Sequence, residues 1–322
     1  MTHPSTLQDE PKLTIGPVLF HWKAEKKLDF YRQVADEMPV DTVYLGEVVC
    51  SKRTPFFDVN YDEVAERLKR AGKRVVFSTL SEVVVPLDRK IIQKFCERAL
   101  EAGEEIEVND ASALLHVSGQ PHRIGTLFNT YNEETMKYLI SRGAYHVGLL
   151  PEMPRDSIAV MSSEARKLGA SVEVQVFGRA SLALSARCYH ARAHERRKGN
   201  CQFVCGEDDD GMDLKTLDDK PFLAINGIQT LTDAYINLAC EIEDMKSMGV
   251  SYFRLSPHSN DMVATAEAFD ALIRGDISAE ETLQRVRESG VEKPFANGFY
   301  YKAPGLMWVS PEDLDKTQRQ AV

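Results

Sequence analysis

The sequence has no apolar run near the roughly 20 residues that are needed to span a bilayer. Residues 1–11 are polar and carry no apolar signal core of the kind that directs secretion. Both absences favour a cytoplasmic protein. In that reducing compartment cysteines are rarely joined as disulfides, so cysteines that cluster are better interpreted as metal ligands or catalysts.

The chain also lacks an excess of basic residues. It has 39 Lys and Arg against 49 Asp and Glu, which gives a formal net charge of -10 at pH 7. A general nucleic-acid binder needs a concentrated Lys/Arg surface, so we do not expect one here. Neither a G-x-S-x-G nucleophile turn nor an H-E-x-x-H zinc helix occurs, which removes two ready-made hydrolase sites.

Alternating segments dominate the sequence. Short β-branched or apolar runs predict parallel strands, and the amphipathic stretches between them predict helices. In a chain of 322 residues with 43% hydrophobic content, about eight such units favour an α/β fold of the closed (β/α)8 TIM-barrel-like type. The predicted strands are 12–20, 42–45, 74–78, 106–108, 124–127, 146–149, 172–177, 222–225 and 252–255. The predicted helices are 28–38, 61–71, 89–102, 133–142, 157–168, 232–248 and 262–273.

This count gives one strand too many for a perfect barrel. Either the first run is a hairpin that closes the barrel floor, or one of the runs is not a barrel strand. Residues 178–221 break the alternation after the seventh strand, and so long an insertion indicates function or disorder. We therefore predict a flexible N-terminus (1–11), a barrel-like domain (12–309) that includes the 178–221 cysteine insertion, and a polar C-terminal tail (310–322).

Cysteines are the strongest chemical signal in this insertion. Cys188, Cys201 and Cys205 follow the spacing C-x(12)-C-x(3)-C, and thiolates gathered in this way bind soft metals. Basic residues lie close to them in sequence and can offset the negative charge of a thiolate-bound cluster. The basic residues of the tract are Arg187, Arg192, Arg196, Arg197 and Lys198.

Three thiolates are one short of a closed site, so a fourth ligand is expected elsewhere. Cys96 and Cys240 lie on apolar faces of predicted helices, where a cysteine behaves as a small hydrophobe. Cys50 instead follows the predicted strand 42–45, at the end where barrels build their active sites. We therefore favour Cys50, with a buried apolar role as its alternative. The remaining candidates are the local His190 and His194.

At this point the residues resemble a known family. The stretch from Glu173 to Arg187 leading into Cys188, followed by Cys201 and Cys205, resembles the signature of the collagenase-like peptidase family. Members of that family mostly have a barrel-like N-terminal domain. A closer match is the branch that serves oxygen-independent ubiquinone biosynthesis. The matching segments are GEVVCSKR at 46–53, FGR at 177–179 and SLALSARCY at 181–189.

The resemblance implies a cofactor and protein partners. Members of the branch carry one [4Fe-4S] cluster on four cysteines, which match Cys50, Cys188, Cys201 and Cys205 here. They act as a heterodimer with a second cluster-bearing member of the family, and hydroxylate a prenylated phenol precursor without dioxygen. Prephenate is the suggested oxygen donor, and a lipid-carrying accessory protein is the expected third partner. No transmembrane segment and no nucleic acid are expected.

Two other classes of function remain open. Four thiolates also satisfy tetrahedral zinc, which would make the chain a zinc-stabilised scaffold or binding protein. The family name suggests a peptidase, but Phe177, Ser181 and Ala183 stand where peptidase-type members tend to have a histidine and further cysteines. Catalytic residues are not identified. Polar candidates near predicted strand ends are Glu47, Asn109, Asn226, Arg254 and His258, and Arg179 and Arg187 lie beside the ligands in sequence.

Overall fold

A computed structural model describes residues 10–310 of the chain. Its centre is a closed barrel of eight parallel strands, so the predicted TIM-barrel-like α/β fold is confirmed. The predicted flexible N-terminus and polar tail fall almost wholly outside the described residues. Numbered along the chain, the barrel strands are β1 (Lys12–Ile15), β2 (Thr42–Leu45), β3 (Arg74–Ser78), β4 (Glu105–Val108), β5 (His122–Ile124), β6 (Ala144–Gly148), β7 (Ser171–Gly178) and β13 (Tyr252–Leu255).

Closure of the barrel follows from the register of its last strand. Tyr252 of β13 lies opposite Lys12 of β1 on one side and opposite Glu173 of β7 on the other, in parallel pairing with both. The predicted first run therefore begins as a true barrel strand and is not a floor hairpin. Because all eight strands run the same way, their carboxyl ends meet at one mouth, and the loops after them can share a site.

The surplus run is residues 222–225, and its prediction as a parallel strand was wrong. It lies in β10 (Pro221–Asn226), which pairs antiparallel with β9 (Met212–Lys215) and β11 (Gln229–Thr232). Asn226 pairs with Gln229, so Gly227 and Ile228 form the two-residue turn between β10 and β11. Gly227, at the first turn position with a φ of 64°, is the residue type that such hairpins favour there, and the strand prediction did not use this signal. With β8 (Ser181–Leu184) these strands form a separate sheet of four.

The helix predicted at 232–248 is also mostly wrong. Its first half holds the strand β12 (Tyr235–Asn237), which pairs antiparallel with the end of β7 and parallel with β14 (Phe295–Ala296). Its β-branched and aromatic residues fit a pleated surface better than a helix. The helical part is limited to residues 242–247, after a 3-10 turn at Ala239–Glu241.

Helices surround the barrel and bury their apolar faces against it in one continuous core. Three of them, at residues 111–117, 189–193 and 279–288, were not predicted. Within residues 10–310, no helix has both the length and the apolar character to cross a membrane. The helices are α1 (Ala24–Asp36), α2 (Tyr61–Arg70), α3 (Pro86–Glu101), α4 (Ala111–Val117), α5 (Glu133–Ser141), α6 (Arg155–Lys167), α7 (Tyr189–Ala193), α8 (Ile242–Ser247), α9 (Met262–Arg274) and α10 (Ala279–Glu288).

Candidate functional site

The turn after β2 positions Cys50 at the barrel mouth. A Cβ on Gly46 would lie 2.2 Å from the carbonyl oxygen of Ser78, and its φ is +150°, so only glycine fits there. The Glu47 carboxylate then accepts hydrogen bonds from the N–H groups of Val49 and Cys50, both at 3.0 Å. Glu47 therefore shapes the turn that carries Cys50.

The insertion brings in the other three cysteines by irregular backbone. Cys188 precedes α7, and its Sγ accepts a hydrogen bond from the Ala191 N–H at 3.4 Å. Cys201 and Cys205 flank Gln202 and Phe203, whose φ angles of 50° and 55° lie in the left-handed region. The two cysteines are therefore not neighbours on a helical face. Left-handed non-glycine residues are strained, and such strain is common at functional sites.

All four predicted ligands line one small cavity of about 20 Å³, here called the cysteine cavity. Cys201 and Cys205 are buried, and Cys50 and Cys188 are half-buried. Cys96, by contrast, is fully buried in the apolar core, and Cys240 lies outside the cavity. The residues that line the cysteine cavity are Cys50, Lys52, Arg53, Cys188, Lys198, Cys201, Phe203, Val204, Cys205 and Gly227.

The spacing of the four sulfur atoms bears on what they can hold. In the described part of the chain, no three of these cysteine sulfur atoms all lie within 4.8 Å of one another. Zinc–sulfur bonds of about 2.3 Å would bring tetrahedral thiolates to about 3.8 Å from one another. The four sulfurs are therefore spread wider than a single tetrahedral zinc ion requires.

Three cations face the cysteine cavity. Arg53 is only 3% exposed, and it donates to the Leu19 carbonyl at 2.9 Å and to Asn226 Oδ1 at 2.8 Å. The Lys52 ammonium lies 3.6 Å from Cys201 Sγ. Lys198, the third cation, forms an ion pair with the Glu82 carboxylate at 3.2 Å. Arg53 was not among the basic residues singled out from the sequence, because it lies far from the insertion along the chain.

Burial and charge act in opposite directions on the thiols. Burial raises the pKa of the Cys50 and Cys205 thiols, while the positive charge of Arg53 lowers it. Burial alone would lower the pKa of Arg53, but the negative charges of Glu47, Cys205 and Cys50 raise it. Gly227 permits the close approach, since a Cβ there would lie 2.6 Å from an Arg53 nitrogen. The guanidinium and the thiolates therefore stabilise each other's charged forms.

A second cavity of about 150 Å³, the mouth pocket, opens at the carboxyl ends of the barrel strands. Its polar base includes Glu107 and Arg254, which form an ion pair at 2.5 Å. The Arg254 guanidinium also donates from Nε to Glu173 at 2.7 Å. Further polar residues that line the pocket are Asn109, Gln175 and Ser256, and its apolar side includes Leu19, Val48, Leu127, Leu182 and Leu184.

One apolar cluster separates the two cavities. Val48, Val49 and Ile228 are its buried members, and half-buried residues from both sites pack against it. Those residues are Leu19, Leu127 and Leu184 of the mouth pocket and Cys50 and Cys188 of the cysteine cavity. The same apolar side chains would therefore contact both a group bound in one cavity and a ligand bound in the other.

The other polar residues that the sequence suggested lie in different parts of the molecule. Asn109 and Arg254 line the mouth pocket, whereas Asn226 supports Arg53. His258 is buried and receives a hydrogen bond from the Arg179 N–H. The Arg179 side chain donates to the Thr232 and Asp233 carbonyls and does not line the cysteine cavity, and Arg187 does not line it either. Acidic residues inside predicted strands, such as Glu107 and Glu173, were the missed signal of the polar barrel interior.

Comparisons with known proteins bear on the identity of the chain. Among solved structures it is similar to the U32 peptidase Mk0906, at 10% identity and TM-score 0.44, with 80% of this chain and 97% of that chain covered. It is also similar to a putative dihydrodipicolinate synthetase from Pseudomonas aeruginosa, at 10% identity and TM-score 0.45, with coverages of 86% and 80%. Residues 24–309 match the family described as Peptidase family U32. Because that match extends over most of the sequence, the chain belongs to peptidase family U32, the collagenase-like family that its cysteine segments resemble.

Proposed function

We propose that Cys50, Cys188, Cys201 and Cys205 hold a [4Fe-4S] cluster, and that the chain is the UbiV-type subunit of an oxygen-independent hydroxylase of ubiquinone biosynthesis. The observation that carries the proposal is Arg53, a buried cation that shares the negative charge of Glu47 with the buried Lys27. Its hydrogen bonds to Leu19 and Asn226 go to neutral acceptors, while four thiols line the same cavity. A buried guanidinium is costly without an opposite charge. Thiolates around a cluster supply that charge.

The spacing of the sulfurs favours an iron–sulfur cluster over a single zinc ion. The sulfurs are spread beyond the spacing of tetrahedral zinc thiolates, and a cluster needs the wider spacing because its cysteines bind different iron atoms. When bound, such a cluster supplies one-electron chemistry. Lys52 and Arg53 then act by holding positive charge beside the sulfurs, and the charge of Arg53 lowers the pKa of the Cys205 thiol against the larger effect of burial.

The mouth pocket is the proposed position for the reacting ring of a prenylated phenol. Its leucine and valine side chains exclude water. The amide N–H groups of Asn109 and Gln175 already donate within the protein, so their amide oxygens are the groups that can accept a hydrogen bond from a ring hydroxyl. The wall of Val48, Val49 and Ile228 keeps the ring close to the cysteine cavity without direct contact. This assignment explains why the two cavities adjoin at one barrel mouth.

The partners follow from the resemblance to the UbiV branch. We propose a UbiU-like cluster protein as the other half of a heterodimer, and a lipid-carrying accessory protein that delivers the prenylated substrate. A cytoplasmic location belongs to the same proposal. No surface of the chain is assigned to either partner.

Family membership favours one competing function, peptide hydrolysis. A cysteine peptidase needs a histidine in hydrogen-bond contact with its nucleophile. Within residues 10–310 no hydrogen bond joins Cys188 to His190, and His190 Nε2 lies instead 2.9 Å from an Asp208 oxygen. The arrangement around Cys188 therefore does not support a catalytic pair.

Anaerobic purification tests the proposal. We expect a brown protein with broad visible absorption and with iron and sulfide in equal amounts, at four of each per chain as the cluster formula requires. A colourless protein that holds one zinc ion per chain would overturn the cluster and support the scaffold alternative. Cleavage of unstructured peptides by the wild type that is lost in Cys188→Ala would instead support the peptidase.

A further inference from the structure

A second group of metal-ligand side chains lies beside the cysteine cavity. His190, His194 and Asp208 bring three ligand atoms within 4.8 Å of one another. His190 lies in α7, His194 follows the end of that helix, and Asp208 comes from the acidic segment after Cys205. The two imidazole rings stack with centroids 5.6 Å apart and planes within 12°. The three side chains therefore converge from two separate stretches of chain.

The His190 side chain has an unusual environment. It is fully buried, yet neither of its ring nitrogens has a hydrogen-bond partner. Its Nε2 lies 2.9 Å from Asp208 Oδ2, but the two atoms are not aligned as a ring N–H and its acceptor. Buried polar groups are almost always hydrogen-bonded, because leaving one unpaired costs free energy. Two acceptor atoms that approach each other without a shared hydrogen are typical of ligands that point at a common third atom.

The two acidic residues that follow Asp208 differ from it in having other partners. Asp209 forms an ion pair with Lys26 at 2.7 Å, and Asp210 accepts a hydrogen bond from the Ser259 N–H at 3.0 Å. Each of these two carboxylates therefore has a structural partner at the surface. The Asp208 carboxylate alone is directed at the histidine pair.

We propose that His190, His194 and Asp208 bind a divalent first-row transition metal ion of the zinc class. Imidazole and carboxylate are suitable ligands for such ions, with bonds of about 2.0–2.2 Å. Two ligands on one tetrahedral ion at those distances lie about 3.3–3.6 Å apart. The 2.9 Å between His190 Nε2 and Asp208 Oδ2 is therefore slightly shorter than the bound distance, and a small side-chain rotation brings the two atoms to it. Three protein ligands leave one position of a tetrahedral ion for water.

The position of this ion has a structural consequence for the cysteine cavity. His190 follows Cys188 by two residues, and Asp208 follows Cys205 by three. An ion that joins His190 to Asp208 therefore ties α7 to the segment after Cys205. It fixes the relative position of two cavity cysteines without touching their sulfurs. The inference does not depend on the proposed cluster.

Cobalt titration of the anaerobically purified full-length protein tests the site. Co²⁺ reports its ligands, since thiolate ligation gives an intense near-ultraviolet charge-transfer band that nitrogen and oxygen ligands do not give. In difference spectra against the same protein without cobalt, which cancel the absorption of a bound cluster, we expect one Co²⁺ per chain with ligand-field bands and without the thiolate band. His194→Ala and Asp208→Asn should each weaken the affinity at least about 10-fold, since even outer partners of a metal are worth that much.

His116→Ala is the matched control, because His116 lies on α4 and outside this group. It should leave the affinity unchanged. Asp208 is 34% exposed, so Asp208→Asn tests the site even if a histidine variant folds poorly. Circular dichroism identifies folded variants. Absence of stoichiometric Co²⁺ uptake, uptake with only the thiolate band, or equal affinity in wild type and Asp208→Asn would overturn the proposal.

Discussion

The barrel interior and the cysteine cavity both bury positive charge, but they balance it differently. In the barrel, Arg254 contacts two carboxylates, those of Glu107 and Glu173. Glu173 also accepts from the Thr14 hydroxyl at 2.5 Å. Arg254, the two carboxylates and the Thr14 hydroxyl thus form a network within the barrel, in which each charged group contacts a group of opposite charge.

In the cysteine cavity the charge is balanced less directly. Arg53 donates to a carbonyl and an amide oxygen, and Glu47 uses one carboxylate oxygen for the backbone N–H groups of Val49 and Cys50. Glu47 also acts on Arg53 through its negative charge, and the other neighbours of Arg53 are thiols, which are neutral unless they lose a proton. The barrel network is thus complete within the protein, whereas the cavity favours an anionic group held by sulfur. This difference separates a charge arrangement that stabilises a fold from one that serves a ligand.

The sharpest way to break this comparison is to remove one cavity cysteine. Cys50→Ala should abolish the iron content of the anaerobically purified protein, because the three remaining cysteines do not close the site. Cys96→Ala is the matched control, since Cys96 is buried in the apolar core. It should keep its iron and lose only a modest part of its stability. Wild-type iron in Cys50→Ala would show that Cys50 is not a ligand.

Removing the central barrel cation tests the barrel network. Arg254→Met leaves Glu107 and Glu173 buried without their cation, so the free energy of unfolding should fall by about 3–5 kcal/mol. Denaturant unfolding of the cluster-free protein measures it. The comparison variant is Arg53→Met, which strands no carboxylate contact and should cost clearly less in the same cluster-free state. Equal losses in the two variants would contradict the distinction between the regions.

Glu241 extends the comparison to a buried acid that lacks a cation. It is 1% exposed, it accepts from Asn297 and Tyr301 at 2.9 Å each, and its other oxygen has no partner. Burial raises the pKa of Glu241 from 4.5 to about 7. Below pH 4.5 both states are protonated. Between pH 4.5 and about 7 the unfolded chain loses its proton first, so the free energy of unfolding falls as pH rises.

Glu241→Gln should remove that pH dependence. Relative to wild type, the variant should gain about 1–3 kcal/mol of unfolding free energy between about pH 5 and about pH 8. Denaturant unfolding at several pH values measures the gain. Glu243→Gln is the control, because the Glu243 side chain is 73% exposed and pairs only with a neighbouring lysine on its own helix. A pH profile of Glu241→Gln parallel to wild type would refute the raised pKa.

The same contrast explains what could be predicted from the sequence. The barrel was predictable because strand and helix periodicity repeats along the chain, and closure needs only the count of strands. The segment 222–225 was misassigned because its local pattern does not distinguish a parallel from an antiparallel strand. Only Gly227, at the first position of the two-residue turn, favoured the hairpin.

The candidate site was partly predictable for a different reason. The spacing of Cys188, Cys201 and Cys205 is local, and the strand-end position of Cys50 made its approach geometrically possible. The position of Arg53 in the site was not predicted, because a buried cation is identified by residues that are close to it in space and distant in sequence. The same holds for the convergence of Glu107, Glu173 and Arg254, which lie on three different strands.

The smallest effect is expected at the edge of the cysteine cavity. Lys52 is half-buried, and its ammonium lies 3.6 Å from Cys201 Sγ. Lys52→Met should leave the iron content unchanged but make the reduction potential more negative, because reduction adds negative charge that Lys52 no longer offsets. A partly screened charge at this range is worth about 1 kcal/mol, or about 40 mV for one electron. Lys90→Met, an exposed lysine of α3, should leave the potential unchanged in anaerobic redox titration. A shift of equal size in both variants would mean that net charge, rather than a cation beside the sulfur, sets the potential.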